Sequence, residues 1–177
     1  MGSVIISHVV GTTALILVLA VTGIYYNICY SSLQVESVAT QLDEVTDYVS
    51  STAVDLVSMC SLSVTNQLVI KDLKLPERLG TFSYSVTIVR SSSTAQEELF
   101  KVRAYFDSSP SVFRESSLPW STDGDLGIYN ATDPDTDPRS VDPSLQPAVC
   151  LSSFSTDIAL WCLKHGGNVT IGLGVRG

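Results

Sequence analysis

Apolar residues fill the start of the chain so densely that no polar face remains. Residues 4–30 read VIISHVVGTTALILVLAVTGIYYNICY, and no Asp, Glu, Lys or Arg occurs before Glu36. As a helix this stretch would be about 40 Å long at ~1.5 Å per residue, enough to cross a hydrocarbon core of about 30 Å. A soluble chain of this size could not bury such a helix on every side. The pattern therefore predicts an apolar helix of membrane length.

From residue 31 the pattern becomes a heptad repeat. Apolar or small side chains recur at alternating spacings of three and four, while acidic and polar residues occupy the other faces. The repeated positions are Val35, Val38, Leu42, Val45, Val49, Thr52, Leu56 and Met59. No Pro or Gly lies between Ile24 and Leu62, so nothing interrupts the helix. We therefore predict one N-terminal helix over residues 1–61, with an apolar part at 4–30 and a heptad part at 31–61.

The heptad stripe continues backward into the apolar part and predicts a seam for self-assembly. Its members are Val18, Val21, Ile28, Val35, Val38, Leu42, Val45 and Val49. In this interpretation identical helices bundle along the seam, and Val38→Asp or Leu42→Asp abolishes assembly while the rest of the chain stays folded. The alternative is that the stripe packs on the protein's own β domain, above all near Leu56 and Met59.

Beyond residue 62 the period changes to two. Residues 82–88 and 100–106 alternate apolar with polar positions, which is typical of strands with one buried face. Residues 67–70 are a further candidate strand. The fold class predicted is α+β: a long helix followed by a β-sandwich-like head over residues 62–177, with about six to eight strands in all.

Two features organise the rest of the head. Apolar runs at 158–163 and 169–175 flank His165-Gly166-Gly167-Asn168, and Gly-Gly-Asn tolerates positive φ, so a closing hairpin is expected. Residues 107–148, rich in Pro, Ser and Asp, are expected to be surface loops with one or two short strands.

Charge and motifs give no reason to expect catalysis. The chain carries 18 acidic residues and a formal net charge of −8, which disfavours nucleic acid as a partner. It has no nucleophile elbow, P-loop or dinucleotide fingerprint. The acidic run at residues 133–138 invites calcium, but Pro138 and Ser144 stand where an EF-hand needs Gly and Glu. No catalytic residue, metal site or cofactor is predicted.

Four cysteines allow three complete pairings, and the sequence cannot choose among them. Cys150–Cys162 is the pairing favoured, as two nearby strand positions in an oxidising exterior. Cys29 is expected to be a free thiol or a packing residue, and Cys60 ends the helix. Two N-x-S/T sequons, beginning at Asn130 and Asn168, permit glycosylation of an exported protein.

The opening SHVVGTTALILVLAVTGIYYNICYSSLQ resembles the N-terminal helix of archaeal type IV pilins and the related archaellum proteins. The resemblance covers about the first 60 residues as a pattern. It implies a filament whose N-terminal helices form a central bundle and whose β heads face outward and are often glycosylated. It also implies a subunit inserted in the membrane before assembly, later found in an extracellular filament, with roles in adhesion or motility.

Two departures from the family qualify this resemblance. The short basic leader of such pilins is not present, so either Met1 follows its removal or the chain is an uncleaved relative. Ile5 stands where bacterial pilins carry Glu, which favours the archaeal branch. One alternative is an archaellum accessory protein that binds the surface layer; another is a membrane-anchored extracellular binding module or enzyme.

Overall fold

The computed structural model describes residues 2–91, 99–121, 126–131 and 137–177. It begins with a single continuous α-helix, α1, Gly2–Leu62. The chain divides into two compact units, residues 1–38 and residues 39–177. The predicted helix is confirmed, but the boundary between the two compact units follows residue 38, inside the helix, and not its end at Leu62. Residues 39–62 belong with the strands because their apolar face packs on them.

The described part of the head contains nine strands and a short 3-10 helix, Pro138–Ser140. The strands are β1 Gln67–Asp72, β2 Tyr84–Ser91, β3 Leu99–Phe106, β4 Ser109–Ser121, β5 Leu126–Ile128, β6 Leu145–Ala148, β7 Cys150–Ser152, β8 Ile158–His165 and β9 Asn168–Arg176. Helix and strands are segregated along the chain, so the fold class is α+β.

The strands form two sheets. The first has the order β1-β8-β9-β5, and β6 also pairs with β9. All its pairs are antiparallel except β5 with β9, which is parallel. The second sheet has the order β4-β3-β2-β7 and is antiparallel throughout. Strand β9 of the first sheet contacts β2 and β7 of the second, which joins the two sheets.

The core lies on both faces of the first sheet. Trp161 is fully buried and packs edge-on against Tyr129, with the ring centroids 5.3 Å apart. Its indole N–H donates to the Leu173 carbonyl over 2.9 Å, so the buried polar atom is satisfied. Cys162, one residue along and therefore on the opposite face, is fully buried, and its carbonyl oxygen lies 3.7 Å from the Cys60 thiol of α1.

Several local expectations are confirmed. Residues 67–72, 84–91 and 99–106 are strands, and β3 alternates partly buried and buried positions along its whole length. Strands β8 and β9 form the closing hairpin, with His165 opposite Asn168 and with Gly166 and Gly167 at φ values of 59° and 98°. Such a turn favours glycine at both central positions.

The expectation for residues 107–148 was wrong in one respect. Where loops were expected, β4 runs for 13 residues and pairs with β3. Its Pro110 and Pro119 are tolerated because β4 is the edge strand of its sheet and its outer side needs no ladder hydrogen bonds. The short strands β5 and β6 in the same stretch agree with the prediction.

Candidate assembly surface

The apolar half of α1 forms a uniformly exposed hydrocarbon surface. His8–Tyr30 spans 23 residues with a mean hydropathy of 2.0, and none of its most apolar window is buried in the chain. This helix is long enough and apolar enough to cross a membrane, and both a membrane anchor and a signal sequence have these properties. The predicted seam residues Val18, Val21 and Ile28 are 62%, 65% and 60% exposed. A surface this apolar needs a cover from outside the chain.

The threonine hydroxyls in this segment are satisfied within the helix. The hydroxyls of Thr12, Thr13 and Thr22 donate to the carbonyls of His8, Val9 and Val18, respectively, over 2.8–2.9 Å. These bonds let threonine enter an apolar medium without leaving a donor unpaired. Near the other end, Tyr26 and Tyr30 stack with their ring centroids 6.2 Å apart. Aromatic side chains of this kind are favoured at membrane–water interfaces.

The second half of α1 is amphipathic, and its apolar face is already occupied. Leu42, Val45 and Val49 are buried within residues 39–177, at 0%, 6% and 0% exposure. The ion pair of Asp43 with Arg114, at 3.2 Å, ties α1 to β4. The apolar face of this half therefore packs on the protein's own head.

This burial corrects the predicted seam at three positions. Leu42, Val45 and Val49 cannot face other copies of the helix while the head covers them. Val38 is also buried, at 8% exposure, whereas Met59 at the end of the stripe is 61% exposed. The side chain of Val35 lies outside the described residues. The alternative interpretation, packing on the protein's own β domain, is confirmed for Leu42 to Leu56, and it reaches further toward the N-terminus than expected.

The end of α1 is held by a side chain from the head. Helices leave their last carbonyls without partners, and the last turn of α1 contains no basic residue. The Lys164 ammonium of β8 donates instead to the carbonyls of Ser61 and Ser63, at 2.9 and 2.5 Å. A cation at a helix C-terminus also complements the helix dipole. Sequence reasoning missed Lys164 because the contact joins residues about a hundred positions apart.

The structure does not bring Cys150 and Cys162 together. Cys150 is exposed on β7 of the second sheet, where its Sγ lies 3.2 Å from the Tyr105 hydroxyl. Cys162 is fully buried on β8 of the first sheet. The favoured pairing was wrong because closeness along the chain does not place two strands in one sheet. All four cysteines lie in the described ranges, and no disulfide joins any two of them in this structure.

Both glycosylation candidates are on the surface. Asn130 follows β5 and is exposed, and Asn168 is exposed at the tight turn that opens β9. Thr132 of the first sequon and most of the acidic run at 133–138, which raised the question of calcium, lie outside the described residues. Within the described ranges, no group of three or more His, Cys, Asp or Glu side chains could hold a metal ion.

Comparison with protein-family models, with curated proteins and with solved structures finds no match for this chain.

Proposed function

We propose that this protein is the structural subunit of an archaeal type IV pilus-like filament, acting in adhesion or surface attachment. Residues 8–30 insert in the membrane before assembly and then bundle with the same segment of other copies. The β heads form the outer, glycosylated surface. The subunit's main partner is itself, with glycans and surface-layer or host-surface components as further contacts.

The observation that supports this proposal is the exposure of the apolar half of α1 on all sides. Its threonines are internally satisfied, so their hydroxyls leave no unpaired donor when the segment lies in lipid or among identical helices. The half next to the head has its apolar face covered already. The self-association surface proposed here is therefore restricted to the apolar half, with Val18, Val21 and Ile28 as its seam residues.

The first test is electron microscopy of the full-length protein on its native cell surface. Thin filaments with helical core density and β-rich outer density are expected. A membrane protein that remains monomeric or forms only small complexes would overturn the proposal.

A pair of tryptophan variants tests the seam. Val21→Trp places a large side chain on the proposed seam, whereas Leu19→Trp places it about 200° around the helix. Both retain an apolar, membrane-length segment. We expect Val21→Trp to reduce filament yield at least tenfold and Leu19→Trp to retain filaments. Equal yields from the two variants would contradict a seam on this face.

A second candidate function is an envelope component that stays in the membrane, either an archaellum accessory protein or an anchored binding module. The burial of Leu42, Val45 and Val49 favours this second candidate. An assembly seam through the whole helix would need these residues exposed, and such a seam was the argument for the filament over the envelope component. Electron microscopy separates the two candidates directly.

A further inference from the structure

The helix end and the centre of the first sheet meet at two cysteines. Cys60 of α1 and Cys162 of β8 are both fully buried. The Cys60 thiol lies 3.7 Å from the Cys162 carbonyl oxygen, so the two cysteines are direct neighbours. Both residues belong to the compact unit of residues 39–177, so this contact lies inside one body.

The surroundings give these thiols no other chemical role. A buried cysteine is ordinarily a small apolar packing residue, and one such residue would need no explanation. Here two of the chain's four cysteines are in contact across elements 102 positions apart. Two sulfur ligands alone are too few for a structural zinc site, which needs four. Two neighbouring buried cysteines can form a covalent bond with each other.

We propose that Cys60 and Cys162 form a disulfide that locks the end of α1 onto β8 in the mature protein. The proposal rests on the position of these two residues and does not depend on the filament. The chemistry is thiol–disulfide exchange with a disulfide oxidant, either a dithiol oxidoreductase or a small-molecule disulfide. One thiolate attacks the oxidant's disulfide to give a mixed disulfide and one released thiol. The second thiolate then attacks the protein sulfur of that bond and releases the other thiol, so two electrons and two protons pass to the oxidant.

Burial fixes when this bond can form. Desolvation, together with the neighbouring Cys60, raises the pKa of the Cys162 thiol far above its ordinary value. Exchange proceeds through the thiolate and needs access to solvent, so the folded, reduced protein should react slowly. The bond is therefore made while the head folds, before the helix end closes over β8. Once formed, it is shielded from reductants by the same burial.

The test is peptide mapping of the full-length protein refolded in detergent with a mixture of oxidised and reduced glutathione. Trypsin is unsuitable, since it leaves Cys150 and Cys162 in one peptide between Arg139 and Lys164. Cleavage before aspartate separates the three cysteines of the head region, giving peptides 55–71, 142–156 and 157–177. We expect peptide 55–71 linked to peptide 157–177. Free thiols in both, or a link from either to peptide 142–156, would overturn the proposal.

Three alanine variants provide a second readout. With the oxidised wild type as reference, Cys60→Ala and Cys162→Ala should each lower the melting temperature by roughly 10 °C, because a loop of about 100 residues loses its cross-link. The matched control, Cys150→Ala, should melt within about 2 °C of the wild type. Because burial shields the bond in the folded protein, the reduced reference is wild type that has been unfolded and refolded in reductant, and it should melt at the lower temperature of the Cys60 and Cys162 variants. If the wild type refolded in reductant melts at the same temperature as the wild type refolded in oxidant, the cross-link is absent.

Discussion

At the scale of single residues, the head depends on one close approach between a ring and a backbone. Gly172 of β9 lies opposite Trp161 of β8, and a Cβ at this position would overlap the indole ring and the Cβ of Tyr129. Glycine is needed here for space. The fully buried indole of Trp161 thus occupies the space that a side chain at position 172 of β9 would need.

We therefore expect Gly172→Ala to destabilise the head by about 1–3 kcal/mol, the usual cost of overpacking a core. Chemical denaturation followed by tryptophan fluorescence would measure the free energy of unfolding. Gly127→Ala is the matched control, because its Cβ would meet its nearest neighbour at an ordinary 3.7 Å. A similar loss in both variants would mean that strand flexibility, and not the indole, sets the requirement.

A second expectation at this scale concerns pH. Burial raises the pKa of Glu115, but hydrogen bonds and charges from Arg103 and Lys101 outweigh it, and the net pKa lies below the ordinary value. A depressed carboxyl pKa contributes stability above the unfolded-state pKa of about 4.3, and this contribution is lost as the pH falls through the folded-state pKa.

Glu115→Gln should therefore lower the free energy of unfolding at pH 7 by less than about 1 kcal/mol, since Arg103 is 41% exposed and solvent screens the pair. The difference from wild type should shrink as the pH falls through the lowered folded-state pKa of Glu115, and it should vanish only below both the folded-state and the unfolded-state pKa. Asp55→Asn, which removes an equal charge from an exposed helix position, is the control. Denaturant titrations at pH 7 and at about pH 2, below both pKa values, would show the effect. A difference that persists at the lower pH would contradict its electrostatic origin.

At the scale of the elements, α1 is one helix with two different environments. Its first half presents apolar side chains on all sides, and its second half presents one apolar face that the head covers. The change occurs without a break in the helix. Substitution of the same residue type should therefore change the free energy of unfolding of the head in the second half of α1 but not in the first half.

Leucine-to-alanine substitutions measure that difference. Leu42→Ala removes a fully buried side chain and should lower the free energy of unfolding of the head by about 2–5 kcal/mol. Leu19→Ala, where the side chain is 64% exposed, should leave it unchanged in detergent. Thermal melting followed by near-ultraviolet circular dichroism would compare them. Because Leu42 is fully buried, Leu42→Asp should unfold the head. The sequence alone had predicted an assembly defect in a folded protein for this variant.

The sequence predicted the elements with strong periodicity and missed those defined by distant partners. The helix, β2, β3 and the β8–β9 hairpin followed from spacing and turn residues. Strand β4 was missed because its Ser and Pro residues resemble a loop, and only its edge position beside β3 makes them acceptable. The proximity of Cys60 to Cys162 was missed for a related reason: no local pattern indicates which sheet a strand joins.

At the scale of the whole molecule, the compact unit of residues 39–177 includes the second half of the helix. Chain fragments can test this division. A fragment of residues 39–177 should be monomeric without detergent and melt cooperatively, because its apolar face is covered. A fragment of residues 63–177 exposes the surface that Leu42, Val49 and Leu56 cover, and it should aggregate.

Size-exclusion chromatography and circular dichroism of the two fragments would check this prediction. If residues 63–177 alone gave a monomer as stable as the longer fragment, the second half of the helix would not be part of the head's core.

The position of β9 also has a consequence for how the protein is made. Strand β9 pairs with β8, β5 and β6, and β1 finds its partner β8 about a hundred residues later, as in the pairing of Leu68 with Leu163. During synthesis most of the first sheet must therefore wait, unpaired, until β8 and β9 have been made. Folding dominated by such distant pairings is slow and leaves strand edges open to aggregation. A premature stop just before Asn168 would leave β5 and β6 with no neighbour in their sheet, so the truncated chain would be degraded.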